Sequence, residues 1–166
     1  QFPPDYNLIQ YQNMMGSNGP LASLAGTWTA LGPEVLPTNS TGQPNGVGRV
    51  NDIAFHPTNT STWWIASPSG GLWKTTNSGT TWTPLTDNLP TLGVSSIAID
   101  TSNTNIMYMG TGDRDGGDAP GLGVYKSTNG GLSWTAANTG MGNRVVGKIL
   151  INPSSPSTLL AATSNG

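Results

Sequence analysis

The chain has 166 residues, with 23 Gly, 13 Pro and no Cys, and only 8% of its residues are charged. A net charge of −2 without any basic cluster excludes a nucleic-acid surface, because phosphate contacts need massed Lys and Arg. The lack of cysteine removes disulfides and thiolate metal sites, the single His56 removes any two-histidine site, and no apolar run is long enough for a membrane span. Gly or Pro interrupts nearly every window and no stretch sustains a 3.6-residue period. Short Val, Ile and Leu runs bounded by Gly, Asn, Ser and Thr predict an all-β fold.

Residues 1–25, with Pro3-Pro4 and Gly16-Ser17-Asn18-Gly19-Pro20, read as an extended lead segment. The start at Gln1, without a charged and apolar leader, reads as a mature N-terminus after signal-peptide removal, hence a secreted or cell-surface protein. Residues 26–47 open with Gly26-Thr27-Trp28-Thr29-Ala30-Leu31, which imitates an outer strand followed by a loop. Beyond them the sequence repeats. Val50-Asn51-Asp52-Ile53-Ala54-Phe55-His56-Pro57 returns as Val94-Ser95-Ser96-Ile97-Ala98-Ile99-Asp100-Thr101 and as Val146-Gly147-Lys148-Ile149-Leu150-Ile151-Asn152-Pro153. Each copy predicts a short first strand buried on both faces. Second strands follow at 62–66, 106–109 and 159–162, third strands at 72–75 and 124–127, and fourth strands from Thr81 and from Ser133.

Unit spacing in the forties with four strands per unit is the signature of a β-propeller of four-stranded antiparallel blades. The expected organisation is a blade over 48–93, a second over 94–143 and half a blade over 144–166, about two and a half blades in all. The second blade carries an insertion at 110–121. The connection from third to fourth strand is the most specific element. It reads Thr75-x-Asn77-x-Gly79-x-Thr81-Trp82 and again Ser127-x-Asn129-x-Gly131-x-Ser133-Trp134.

These two segments resemble the Asp-box, or bacterial neuraminidase repeat, of sialidase-like, sortilin-like and xyloglucanase-like propellers, with Asn in place of the usual Asp. The resemblance covers 26–166 and implies a structural role for all ten residues. The Asn side chain bonds turn amides, the Gly takes a positive φ and the Trp packs beneath. The Gly48-to-Pro57 and Gly70-to-Thr75 segments look like large exported Bacteroidota propellers, which implies type IX secretion and action at the cell surface.

Few residues offer chemistry. Asp113, Asp115 and Asp118 form the one dense acidic cluster, in the insertion, and are candidates for a Ca²⁺ or ligand loop; a solvated loop with a local Asp–Arg pair is the plainer reading. Otherwise no cofactor is expected. His56 is placed to hold a turn, and Trp63-Trp64 to send one ring to each face of its strand. Asp52 and Asp100 lie near first strands, where a glycosidase would need two opposed carboxylates. Xyloglucanase-like relatives carry a catalytic Asp just before a Gly-Gly-x-[Tyr/Trp]-[Arg/Lys] strand. The matching segment here is Pro68-Ser69-Gly70-Gly71-Leu72-Trp73-Lys74, so Pro68 takes the aspartate's place and no catalytic residue is assigned. The expectation is a non-catalytic extracellular binding or adhesion module for glycan or protein. The alternatives are a structural subunit whose propeller other chains complete, and a glycoside hydrolase with its acid and base elsewhere.

Overall fold

The structure is a computed structural model and describes residues 48–117 and 119–164. The chain divides between Val47 and Gly48, and every element below belongs to the second unit. The lead segment 1–25, the closing strand of 26–47, Asp118 and the last two positions lie outside the described residues.

The described residues are all-β. β1 (Asp52–Phe55), β2 (Trp63–Ser67), β3 (Gly71–Thr75) and β4 (Thr83–Pro84) form one antiparallel sheet in sequence order. A second sheet follows with β5 (Val94–Ile99), β6 (Met107–Thr111), β7 (Val124–Ser127) and β8 (Thr135–Ala136). β9 (Val146–Ile151) and β10 (Leu159–Thr163) make a two-stranded third sheet. The registers repeat as the sequence does: Ala54 faces Trp64, Ala98 faces Tyr108 and Leu150 faces Leu160. No helix occurs among the described residues, so none is long and apolar enough to cross a membrane.

β4 and β8 start two residues later than the sequence pattern predicts. The cause is local: the Thr81 and Ser133 amides donate to the Asn77 and Asn129 side chains at 2.9 Å, so both residues stay in the turn. A second difference concerns the first strands. β5 is buried over most of its length because a sheet lies on each side of it, as expected. β1 is not, since Ile53 and Phe55 are 51% and 63% exposed. β9 likewise exposes Leu150. Burial of a first strand on both faces depends on neighbouring sheets, and β1 and β9 each have one among the described residues.

Two apolar clusters hold the sheets together. Trp64, Ala66 and Leu72 of the first sheet meet Val94, Ile97, Met107 and Met109 of the second. Tyr108 and Val124 then meet Val146 and Ile149 of the third. Each of the larger apolar side chains contributes roughly 1.5–3 kcal/mol relative to exposure. Side chains alternate across a strand, so Met107 and Met109 face one sheet while Tyr108 faces the other.

Candidate functional site

Antiparallel order sorts the connections to two ends. At one end lie residues 48–51 and the connections 68–70, 85–93, 112–123 and 137–145. At the other lie 56–62, 76–82, 100–106, 128–134 and 152–158. The insertion and Pro68 therefore share one end, and the two repeated Asn-Gly-Trp turns occupy the opposite one.

The two turns are the same object. Thr75 Oγ1 donates to Asn77 Oδ1 at 3.0 Å and accepts from the amides of Asn77 and Gly79. Asn77 Nδ2 donates to Thr81 Oγ1 at 2.9 Å. Ser127, Asn129, Gly131 and Ser133 repeat this network bond for bond. Gly79 and Gly131 sit at φ +85° and +90°, where a side chain is strained. The position before each is also left-handed, occupied by Ser78 and Gly130, a constraint the repeat pattern did not reveal. Trp134 packs on the first core cluster, while Trp82 lines a groove of about 400 Å³ over the first sheet with Trp73, Ile65 and Val50.

Residues 56, 100 and 152, equivalent in the repeat, do one job with three side chains. His56 Nδ1 accepts from the Thr58 amide at 3.3 Å and the Asn59 amide at 3.1 Å. Asp100 Oδ1 accepts from the Ser102 hydroxyl at 2.6 Å and the Ser102 amide at 2.8 Å. Asn152 Oδ1 accepts from the Ser154 amide at 2.9 Å. The Ser102 hydroxyl, and then the Ser102 amide, hold the Asp100 carboxyl below its ordinary 3.8. Asp100 is thus committed to a turn at the Asn-Gly-Trp end. Asp52 lies at the other end of its strand. Its Oδ2 accepts from Ser96 Oγ and the Ile97 amide, both at 3.0 Å, and Lys148 Nζ reaches both oxygens at 2.8 Å. Asp100 lies four residues beyond Ser96, the repeat equivalent of Asp52, which is roughly 13 Å of strand rise, so the two carboxylates belong to opposite ends. They form no acid–base pair.

The insertion end is tied across all three sheets. Asp113, its side chain fully buried, pairs with Arg49 at 2.5 Å and accepts from the Asp115 amide at 3.2 Å. Arg114 pairs with Asp115 at 3.2 Å and donates to the Gly147 carbonyl at 3.0 Å. Asp115 itself is exposed, and Asp118 lies outside the described residues. No group of three or more His, Cys, Asp or Glu side chains converges on a metal-sized point among the described residues. Pro68 is buried, with its carbonyl close to Gly93 and near Gly112 and Ala119. Beside it runs a shallow groove of about 310 Å³, lined by Ser69, Pro90, Thr91, Leu92, Ala119 and Pro120. Gly121 lies so close to the Arg144–Val145 backbone that no Cβ fits there.

Three pairings were not among the sequence expectations: Arg49 with Asp113, Lys148 with Asp52, and the lysine–aromatic pairs. Lys74 Nζ lies 5.2 Å from the Trp64 ring and Lys126 Nζ 5.4 Å from Tyr108, each directly across the strand pair. The last was discoverable, because both lysines occupy one repeat position. The first two join residues far apart in sequence and leave no local signal. Of the two adjacent tryptophans, Trp64 is core, whereas Trp63 turns away, donates to the Thr60 carbonyl at 2.7 Å and meets Phe55 edge-on.

Solved structures similar to this chain include two GH74 enzymes. An ancestral GH74 enzyme matches with a TM-score of 0.58 and 28% identity, over 70% of this chain and 14% of its own. The GH74 enzyme of Niastella koreensis matches with 0.55 and 28%, over 69% of this chain and 17% of its own. The chain spans less than a fifth of the length of either enzyme. No protein-family model matches the chain, and no curated protein does. Antiparallel four-stranded sheets repeated in sequence order fit a β-propeller-like family, with GH74 glycoside hydrolases as structural neighbours.

Proposed function

We propose that this chain is part of a GH74-like β-propeller that binds glycan at the insertion end without hydrolysing it. Residue 68 carries the reading. The resemblance requires a carboxylate two residues before Gly70 of the Gly70-Gly71-Leu72-Trp73-Lys74 segment, and a buried Pro68 stands there instead. Pro has no group to titrate or attack, and the nearby Asp113 is engaged by Arg49. The groove beside Pro68 and the open insertion offer a surface without acid–base machinery. The Asn-Gly-Trp turns are Asp-box turns in this reading, structural and remote from the ligand. Export and display at the cell surface follow from the same resemblance. The alternative, a glycoside hydrolase whose acid and base lie in other blades, draws on the 28% identity to two GH74 enzymes.

The test is a panel of soluble β-glucans, xyloglucan among them, assayed with the purified protein for retardation in affinity gels and for released reducing ends. Retardation without release is the expected outcome. Release abolished by no change near Pro68 would put the chemistry elsewhere and favour the hydrolase. Neither retardation nor release would remove the glycan reading.

A further inference from the structure

Asparagine followed by glycine is a pair in which the backbone readily attacks the side chain, because glycine has no Cβ to shield its amide nitrogen. Among the described residues the pair occurs once, at Asn129-Gly130 in the second Asn-Gly-Trp turn. Three further copies, at 18–19, 45–46 and 165–166, lie outside the described residues. The first turn has Ser78 after Asn77 instead. Both following positions are left-handed, Ser78 at φ 58° and Gly130 at φ 71°, so the turn fixes the backbone there and accepts either residue.

Asn129 is exposed to water, yet each atom that the attack needs is held. The Gly130 amide, which would supply the attacking nitrogen, donates to the Asn105 carbonyl at 3.0 Å. Asn129 Oδ1 accepts from Ser127 Oγ and from the Ser133 amide, both at 2.9 Å. Its Nδ2 donates to Ser133 Oγ at 2.8 Å. These bonds draw the carboxamide toward Ser133, four residues on, and keep the Gly130 proton engaged. Ring closure needs both sets released, so its rate follows opening of the turn.

We propose that Asn129-Gly130 is a self-modification site that its own turn holds shut. When the turn opens, the Gly130 nitrogen attacks Asn129 Cγ. An N–Cγ bond forms, the Cγ–Nδ2 bond breaks, and ammonia leaves carrying the Gly130 amide proton. Water then opens the cyclic imide at either carbonyl, leaving aspartate or isoaspartate at position 129. Water is the only co-reactant. Aspartate keeps the acceptor for Ser127 Oγ and the Ser133 amide, and Ser133 Oγ, a donor as well as an acceptor, can meet the second oxygen. Isoaspartate adds a carbon to the main chain and takes one from the carboxylate arm, so the network cannot re-form. One product therefore restores the turn and the other keeps it open. The inference goes beyond the glycan reading and does not depend on it.

The experiment incubates the full chain in mildly alkaline buffer, folded and in urea above its unfolding midpoint. Peptide mass spectrometry with fragmentation reads aspartate and isoaspartate at position 129. The folded chain is expected to react at least about tenfold more slowly than the unfolded one. Ser133→Ala, which frees Nδ2, should speed the folded chain severalfold and leave the rate in urea unchanged. Gly130→Ser, which copies the first turn, should slow the reaction in urea severalfold while β7 keeps its protection from amide exchange. Asn129→Asp should keep that protection too. Four results overturn the proposal: equal rates folded and unfolded, no product at position 129 in urea, a folded rate indifferent to Ser133→Ala, or loss of β7 protection in Asn129→Asp.

Discussion

At positions 56, 100 and 152, His, Asp and Asn each accept a hydrogen bond from an amide two residues on, so the fold selects for an acceptor rather than for a residue type. The choice matters for pH. The Asp100 carboxyl is held below 3.8, so its contribution is fully present above that value and is lost as pH falls through the lowered one. The wild type should therefore lose stability below about pH 4, and Asp100→Asn should flatten that limb while keeping the turn, as Asn152 does. Urea midpoints measured from pH 2 to 6 would show it; an unchanged acid limb in the variant would contradict it. Asn129 organises its turn through bonds to Ser127 and Ser133. Asn129→Ala should cost about 1–2 kcal/mol in denaturant unfolding, because turn groups lose their partners. Asn129→Asp retains the acceptor oxygen and should stay within about 0.5 kcal/mol.

At the scale of elements, the first strands of the three sheets are stitched together at one repeat position. Asp52 of β1, Ser96 of β5 and Lys148 of β9 are equivalent, and they bond one another across three sheets. Ser96 Oγ donates to Asp52 and accepts from the Ile149 amide at 3.1 Å, so it relays between sheets. Lys148 is half exposed, which limits what its ion pair contributes. Lys148→Met should therefore cost about 1 kcal/mol or less at low salt, with the loss shrinking near 1 M salt. A loss independent of salt would mean packing of the lysine stem rather than charge. The strand pairs were legible in advance because alternation and turn residues are local signals. The late start of β4 and β8 was not, since an Asn side chain, four residues upstream, captures the amide that a strand would have used.

At the scale of the whole set of described residues, the middle sheet is covered on both faces and the outer two on one each. β6, buried from Met107 through Thr111, should show the slowest amide exchange, and β10 and the two-residue β4 the fastest. Uniform protection across the ten described strands would contradict this order. The Arg49–Asp113 pair links the chain's entry to the insertion and ranks above the Asp52–Lys148 pair in burial, since the Asp113 side chain has no exposure. Arg49→Met should destabilise by about 1–3 kcal/mol, because it removes the guanidinium from a buried carboxylate that keeps its backbone partner. The double variant Arg49→Met with Asp113→Leu should recover part of that loss, a coupling that a thermal-unfolding cycle measures.

Repeat spacing, strand alternation and turn composition are properties of neighbouring residues, so the sequence by itself determined the all-β class, the order of the strands after residue 48 and the two Asn-Gly-Trp turns. It also determined that residue 68 is a proline. Tertiary structure decided what pairs with what at long range. It gave Asp113 to Arg49 and Asp52 to Ser96 and Lys148, and it sent Asp100 to the opposite end from Asp52. Those outcomes depend on which sheet faces lie against each other, and no local pattern encodes that. The same dependence leaves β1 exposed and β5 buried although their sequences repeat, because burial belongs to the neighbour as much as to the strand.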